Sequence, residues 1–106
     1  MPKYLFHASY TTEGIKGLLK DGGSKRKAVV EELIKSVGGK LEACYFAFGE
    51  TDVFVIADVP DNVSVAAASL TVAASGSAHV KTTVLMTPEE MDAAAKKTAK
   101  YRAPGK

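Results

Sequence analysis

LEACYFAFGETDVFVIADV, residues 41–59, decides how this chain folds. It holds two β-rich runs, Leu41–Phe48 and Asp52–Val59, separated only by Gly49-Glu50-Thr51. Runs of β-branched and aromatic residues joined by a short, glycine-containing loop predict an antiparallel hairpin. Strict alternation puts Leu41, Ala43, Tyr45 and Ala47 on one face of the first run, with Cys44, Phe46 and Phe48 on the other. The second run sets Val53, Val55, Ala57 and Val59 against Phe54 and Ile56. An antiparallel sheet with one wet face alternates apolar with polar residues. This hairpin is apolar on both faces and therefore asks for cover on both.

Upstream, Lys3–Tyr10 reads as a strand, and Thr11 or Thr12 offers a helix cap. Ile15, Leu18 and Leu19 predict a short helix ending at Asp21-Gly22-Gly23. Ser24 is the expected cap of a longer helix whose stripe is Val30, Leu33, Ile34 and Val37, stopped by Gly38-Gly39. Downstream, Pro60-Asp61-Asn62 closes the hairpin and caps an alanine-rich helix over 63–74. Its expected apolar face is Ala66, Ala67, Leu70 and Ala74, small enough to lie close to a sheet. A strand follows over His79–Met86, then a capping box, Thr87-Pro88-Glu89-Glu90, opening a last helix that reaches Thr98 or Lys100.

The resulting order, β-α-β-β-α-β, predicts an α+β, ferredoxin-like domain. It has a four-stranded antiparallel sheet, an extra short helix after the first strand and a C-terminal helix. Right-handed crossovers place both connecting helices on one face. The other face then needs either a second copy, giving a homodimer of the α/β-barrel type, or the final helix folded across it. Left bare, its apolar side chains would forgo about 1.5–3 kcal/mol each.

Composition agrees with one globular domain. Of 106 residues, 46% are hydrophobic and 25% charged, and the single cysteine, Cys44, forms no intrachain disulfide and no cysteine-based metal site. No apolar run approaches the roughly 20 residues of a membrane span, and Met1–Tyr10 lacks a signal peptide's ordered regions. The expectation is a cytoplasmic protein that engages no membrane. A net charge of +2 is too small to imply nucleic acid. Its distribution is uneven: +4 over residues 1–40, −7 over 41–95 and +5 over 96–106. The basic end is read as complementing a helix dipole and the acidic middle, or else as an arm for an acidic partner.

The Pro2-Lys3-Tyr4-Leu5-Phe6 run, the Gly23-Ser24-Lys25-Arg26 segment and the Phe48-Gly49-Glu50-Thr51-Asp52 hairpin resemble the GYD-domain family. The Val80-Lys81-Thr82-Thr83 strand and the Thr87-Pro88-Glu89-Glu90 cap fit it too. Of the glycine, tyrosine and aspartate that name the family, Gly49 and Asp52 match, while Thr51 stands at the tyrosine position. The resemblance therefore carries no role for a phenol there. It implies a single GYD domain over residues 1–100 with a flexible basic tail over 101–106. It also implies similarity to dimeric α/β-barrel proteins, among them cofactor-free monooxygenases, lactone isomerases and haem-handling enzymes. A fold of this kind transfers no particular reaction.

Candidate chemistry is sparse. His7 shares a strand face with Leu5 and Ser9 and is the candidate acid, base or ligand contact at the open sheet face. Tyr45 and Lys81 are candidate polar contacts for the same ligand. Asp52 is either a carboxylate at a cavity mouth or the clamp of its own turn. Ser24, Lys25 and Arg26 put cations in the first turn of a helix, where the dipole disfavours them, and form a candidate anion site. His7 and His79 have no metal-ligand spacing, so neither metal nor cofactor is expected. The first expectation is a homodimer, its further assembly left open, binding a small and largely apolar ligand in a cavity at the sheet face. The alternatives are a cofactor-independent monooxygenase or isomerase with His7 as general base, and a structural or regulatory subunit without catalysis.

Overall fold

A computed structural model describes residues 1–106 of the chain. The elements run β1 (Lys3–Tyr10), α1 (Thr12–Asp21), α2 (Gly23–Ser36), β2 (Lys40–Phe46), β3 (Val53–Asp58), α3 (Asn62–Ala74), β4 (Ala78–Leu85) and α4 (Pro88–Lys96). The strands form one sheet in the order β2-β3-β1-β4, and each adjacent pair is antiparallel. This is the expected α+β, ferredoxin-like arrangement.

Local chemistry sets the boundaries. Thr11 caps α1 by accepting the Gly14 N–H at 3.2 Å, and Asp61 caps α3 by accepting the Ser64 N–H at 2.9 Å. The capping box forms in full: Thr87 Oγ1 accepts the Glu90 N–H at 3.1 Å, and Glu90 Oε1 accepts the Thr87 N–H at 2.9 Å. The cap expected at Ser24 falls on Gly22 instead. Since α1 runs to Asp21, a single residue must end one helix and open the next. Its φ of +82° suits glycine, and Ser24 becomes the second residue of α2.

The core lies between the sheet and one layer of helices. Tyr4, Phe6, Val53, Val55 and Ala57 point from β1 and β3 toward Ile34 of α2 and Val65 of α3, and all are buried. The buried Tyr4 hydroxyl donates to Asn62 Oδ1 at 2.9 Å, tying β1 to the start of α3. Two details depart from the expected pattern. Pairing shifts between Leu41 and Ala43, so a bulge at Glu42 returns Leu41 to the core side with Cys44. Of the apolar residues of β2, only Ala43 and Tyr45 then share the open side with Phe54 and Ile56, because one extra residue reverses the alternation that preceded it. Phe48 lies outside the strand, fully exposed in a loop that spans six residues, 47–52, rather than three.

The second departure is in α3. Ala66, Ala67, Leu70 and Ala74 face outward, and Leu70 is 68% exposed. Val65, Ala68, Ser69 and Val72 turn inward instead. The helix is apolar on nearly every side, so its hydrophobicity selects no face, and packing against β4 does.

The open face of the sheet is not covered by α4. No residue of α4 is buried, and the radius of gyration, 16.8 Å, exceeds the ~13 Å of a compact chain of this length. The expectation that the last helix folds across the sheet is thereby overturned. Tyr45 remains 71% and Phe54 39% exposed.

Candidate functional site

Two concavities flank the sheet. The first is a half-open, mainly apolar cavity of about 260 Å³ between α2, α3 and the core side of the strands. Its walls include Val29, Val30 and Leu33 from α2, Val72 from α3 and Val80 from β4. The small inward residues of α3, Ala68 and Ser69, explain why the space is not filled. Ser69 Oγ is buried with no hydrogen-bond partner. Of the candidate residues read from the sequence, only Arg26 lines this cavity, and its apolar walls were not singled out. The available signal was the 65, 68, 69, 72 spacing, which competes with the stripe through Leu70.

The second concavity, about 300 Å³, is polar and lies on the open face. His7, Ser9, Glu50, Thr51, His79 and Lys81 line it. Register explains the assembly: His7 stands opposite Lys81 and Ser9 opposite His79 across β1 and β4, all on one side. The 47–52 loop supplies the remaining wall, held down by Ser9 Oγ, which donates to the Glu50 carbonyl at 2.6 Å. His7 Nε2 is 3.2 Å from Thr83 Oγ1, and its ring stacks on Phe54 at 6.0 Å between centroids.

The structure thus brings His7 and Lys81 together. Tyr45 lies beyond Phe54, its cross-strand partner, outside that pocket. Asp52 faces neither cavity. Its Oδ2 accepts the Tyr10 N–H at 2.8 Å and its own N–H donates to the Ala8 carbonyl at 2.9 Å, so it clamps the loop to β1. The expected cluster of Ser24, Lys25 and Arg26 separates: Ser24 and Lys25 are exposed, while Arg26 turns into the apolar cavity. No group of three or more histidine, cysteine, aspartate or glutamate side chains is arranged to hold a metal.

Three groups depart from their ordinary pKa values. Lys3 is raised by donating to Glu42 at 2.8 Å and Asp58 at 2.9 Å. Burial pushes the Cys44 thiol up, against the pull of Lys27, and Asp61 is lowered by the Ser64 backbone N–H it accepts. A raised value means the folded chain holds its proton longer than the unfolded one. Those contributions are complete below the ordinary values and fade as pH rises past 9.0 for Cys44 and 10.5 for Lys3. Asp61 works in the opposite sense, its contribution fading as pH falls below 3.8. Urea midpoints measured against pH should therefore drop at both ends. Cys44→Ala should remove the earlier part of the alkaline fall and leave the acid limb unchanged.

The four-stranded antiparallel sheet with helices on one face defines a ferredoxin-like α+β domain, and no helix is long and apolar enough to cross a membrane. The family model described as GYD domain matches residues 4–95, most of the chain, and the protein belongs to the GYD-domain family. No curated protein and no solved structure matches it.

Proposed function

We propose that the protein is a homodimeric binding protein for a small, largely apolar molecule. The observation that carries this reading is the apolar cavity between α2, α3 and the sheet. Protein interiors are close-packed, and an apolar space of this size forgoes contacts that a core residue or a ligand would make. Its mixture of aliphatic walls and a few polar groups is the usual composition of a small-molecule site. The expectation of a cavity at the sheet face is thus transferred to the sheet's helical side, and the open face is assigned to a second copy. Two sheets stacked at about 10 Å would bury Tyr45, Phe54 and Ile56 in each protomer.

The test of the cavity is decanol binding followed by amide chemical shifts. Shifts centred on Val29, Leu33, Val72 and Val80, abolished by Val72→Phe with the fold intact, are the expected result. A phenyl ring at position 72 would occupy the cavity in place of the ligand. Shifts centred instead on His7 and Lys81 would move the site to the polar pocket. No shifts at all would overturn the binding function.

A further inference from the structure

The geometry points to an anionic amphiphile, a carboxylate with an apolar body of about ten carbon atoms, as the ligand class of the helical-side cavity. The size follows from scaling: an apolar cavity of about 150 Å³ holds benzene, and this one measures about 260 Å³. The inference rests on the cavity reading above and adds a charge to it.

The charge comes from Arg26. It is the only ionisable cation in the cavity lining, and no aspartate or glutamate lines the space with it. Its side chain is 28% exposed, yet the guanidinium forms no hydrogen bond within the protein. A guanidinium has five N–H donors in a planar fork, and a half-buried one that meets no protein acceptor leaves them to water or to a ligand. The nearest acid is Asp21, whose Oδ2 is 3.8 Å from Arg26 Nη1, beyond hydrogen-bonding range. Asp21 is shared as well, with Lys25 Nζ at 3.9 Å. Arg26 is therefore loosely restrained and keeps a free edge of the fork.

Its position adds to the effect. Arg26 is in the first turn of α2, which has no acidic residue there and no side-chain cap. The positive end of the helix and the guanidinium act in the same direction, toward an acceptor. Carboxylates match the fork in a bidentate manner, which a neutral hydroxyl cannot do. Ser69 of α3 lines the same cavity, its own hydroxyl buried beneath the wall without a partner. A carboxylate head at Arg26 with its chain along Val29, Leu33 and Val72 satisfies the fork and fills the apolar walls together.

The experiment compares decanoate with decanol by titration calorimetry at neutral pH on the full chain. Wild type is expected to bind decanoate at least about tenfold tighter than decanol. Arg26→Gln should bring the two affinities to near equality while leaving that for decanol in place. Asp21→Asn, which frees the guanidinium from its competitor, should tighten decanoate several-fold and leave decanol unchanged. Equal binding of the two ligands by wild type overturns the anionic class and leaves the apolar cavity standing. Decanoate preference that persists in Arg26→Gln, or is unmoved by Asp21→Asn, overturns the role of Arg26. Failure of both ligands to bind overturns the cavity reading itself.

Discussion

Gly14→Ala is expected to lower the stability of the domain by about 3 kcal/mol, near the upper end of what forced overpacking costs. Gly14 is buried in the first turn of α1, at the corner where β1 ends beside the turn between α3 and β4. The corner is fastened by the Thr11 N–H donating to the Ser77 carbonyl at 2.9 Å and Thr11 Oγ1 donating to the Gly76 carbonyl at 2.8 Å. A methyl group on Gly14 would collide with the Ser77 carbonyl oxygen and stand 2.8 Å from Tyr10 Cδ1. The oxygen belongs to the backbone and is itself held by Thr11, so relief requires breaking the corner. Thermal melting should show a fall on the order of 10–20 °C. Gly17→Ala, three residues along the same helix with open space around it, is the control and should be neutral or slightly stabilising. A Gly14→Ala chain that melts with the wild type would refute the close approach.

The second large effect concerns association. Phe54→Asp should convert a dimer to a monomer at micromolar concentration, with at least about a hundredfold loss of affinity in sedimentation equilibrium. Phe54 sits on the open side of a central strand, between Tyr45 of β2 and His7 of β1. A carboxylate there, repeated by symmetry in the partner, would be taken out of water near its own copy. Burial of an unpaired charge costs several kcal/mol, and two like charges raise the penalty further. Leu70→Asp, on the outward side of α3, exposes no comparable conflict and should leave association unchanged. If wild type sediments as a monomer throughout the micromolar range, the face-to-face dimer fails.

Much of the architecture was legible in the sequence because periodicity and stop signals agreed. The stripe of α2, the glycine pair after it and the Thr87 capping box each have a local cause, and each appears where expected. The errors occurred where local pattern was silent. Strict alternation along β2 fails at one point, because nothing in Leu41-Glu42-Ala43 announces the bulge that turns Leu41 inward. In α3 two apolar stripes of helical spacing compete, and the tertiary position of the helix turns the one through Leu70 outward. The candidate residues divided for similar reasons. His7 and Lys81 meet because strand register is long-range information that β1 and β4 settle together. The charge around Arg26 is legible locally, whereas its turn toward the cavity depends on where α2 lies on the sheet.

The bulge in β2 has a consequence for how copies of this chain can add to one another. β2 is an outermost strand, and its row of backbone donors and acceptors is interrupted at Glu42. A ribbon of molecules extended strand by strand needs an unbroken margin to copy, and this margin is kinked out of line. At the β2 edge, growth strand by strand into fibres is discouraged by a single extra residue.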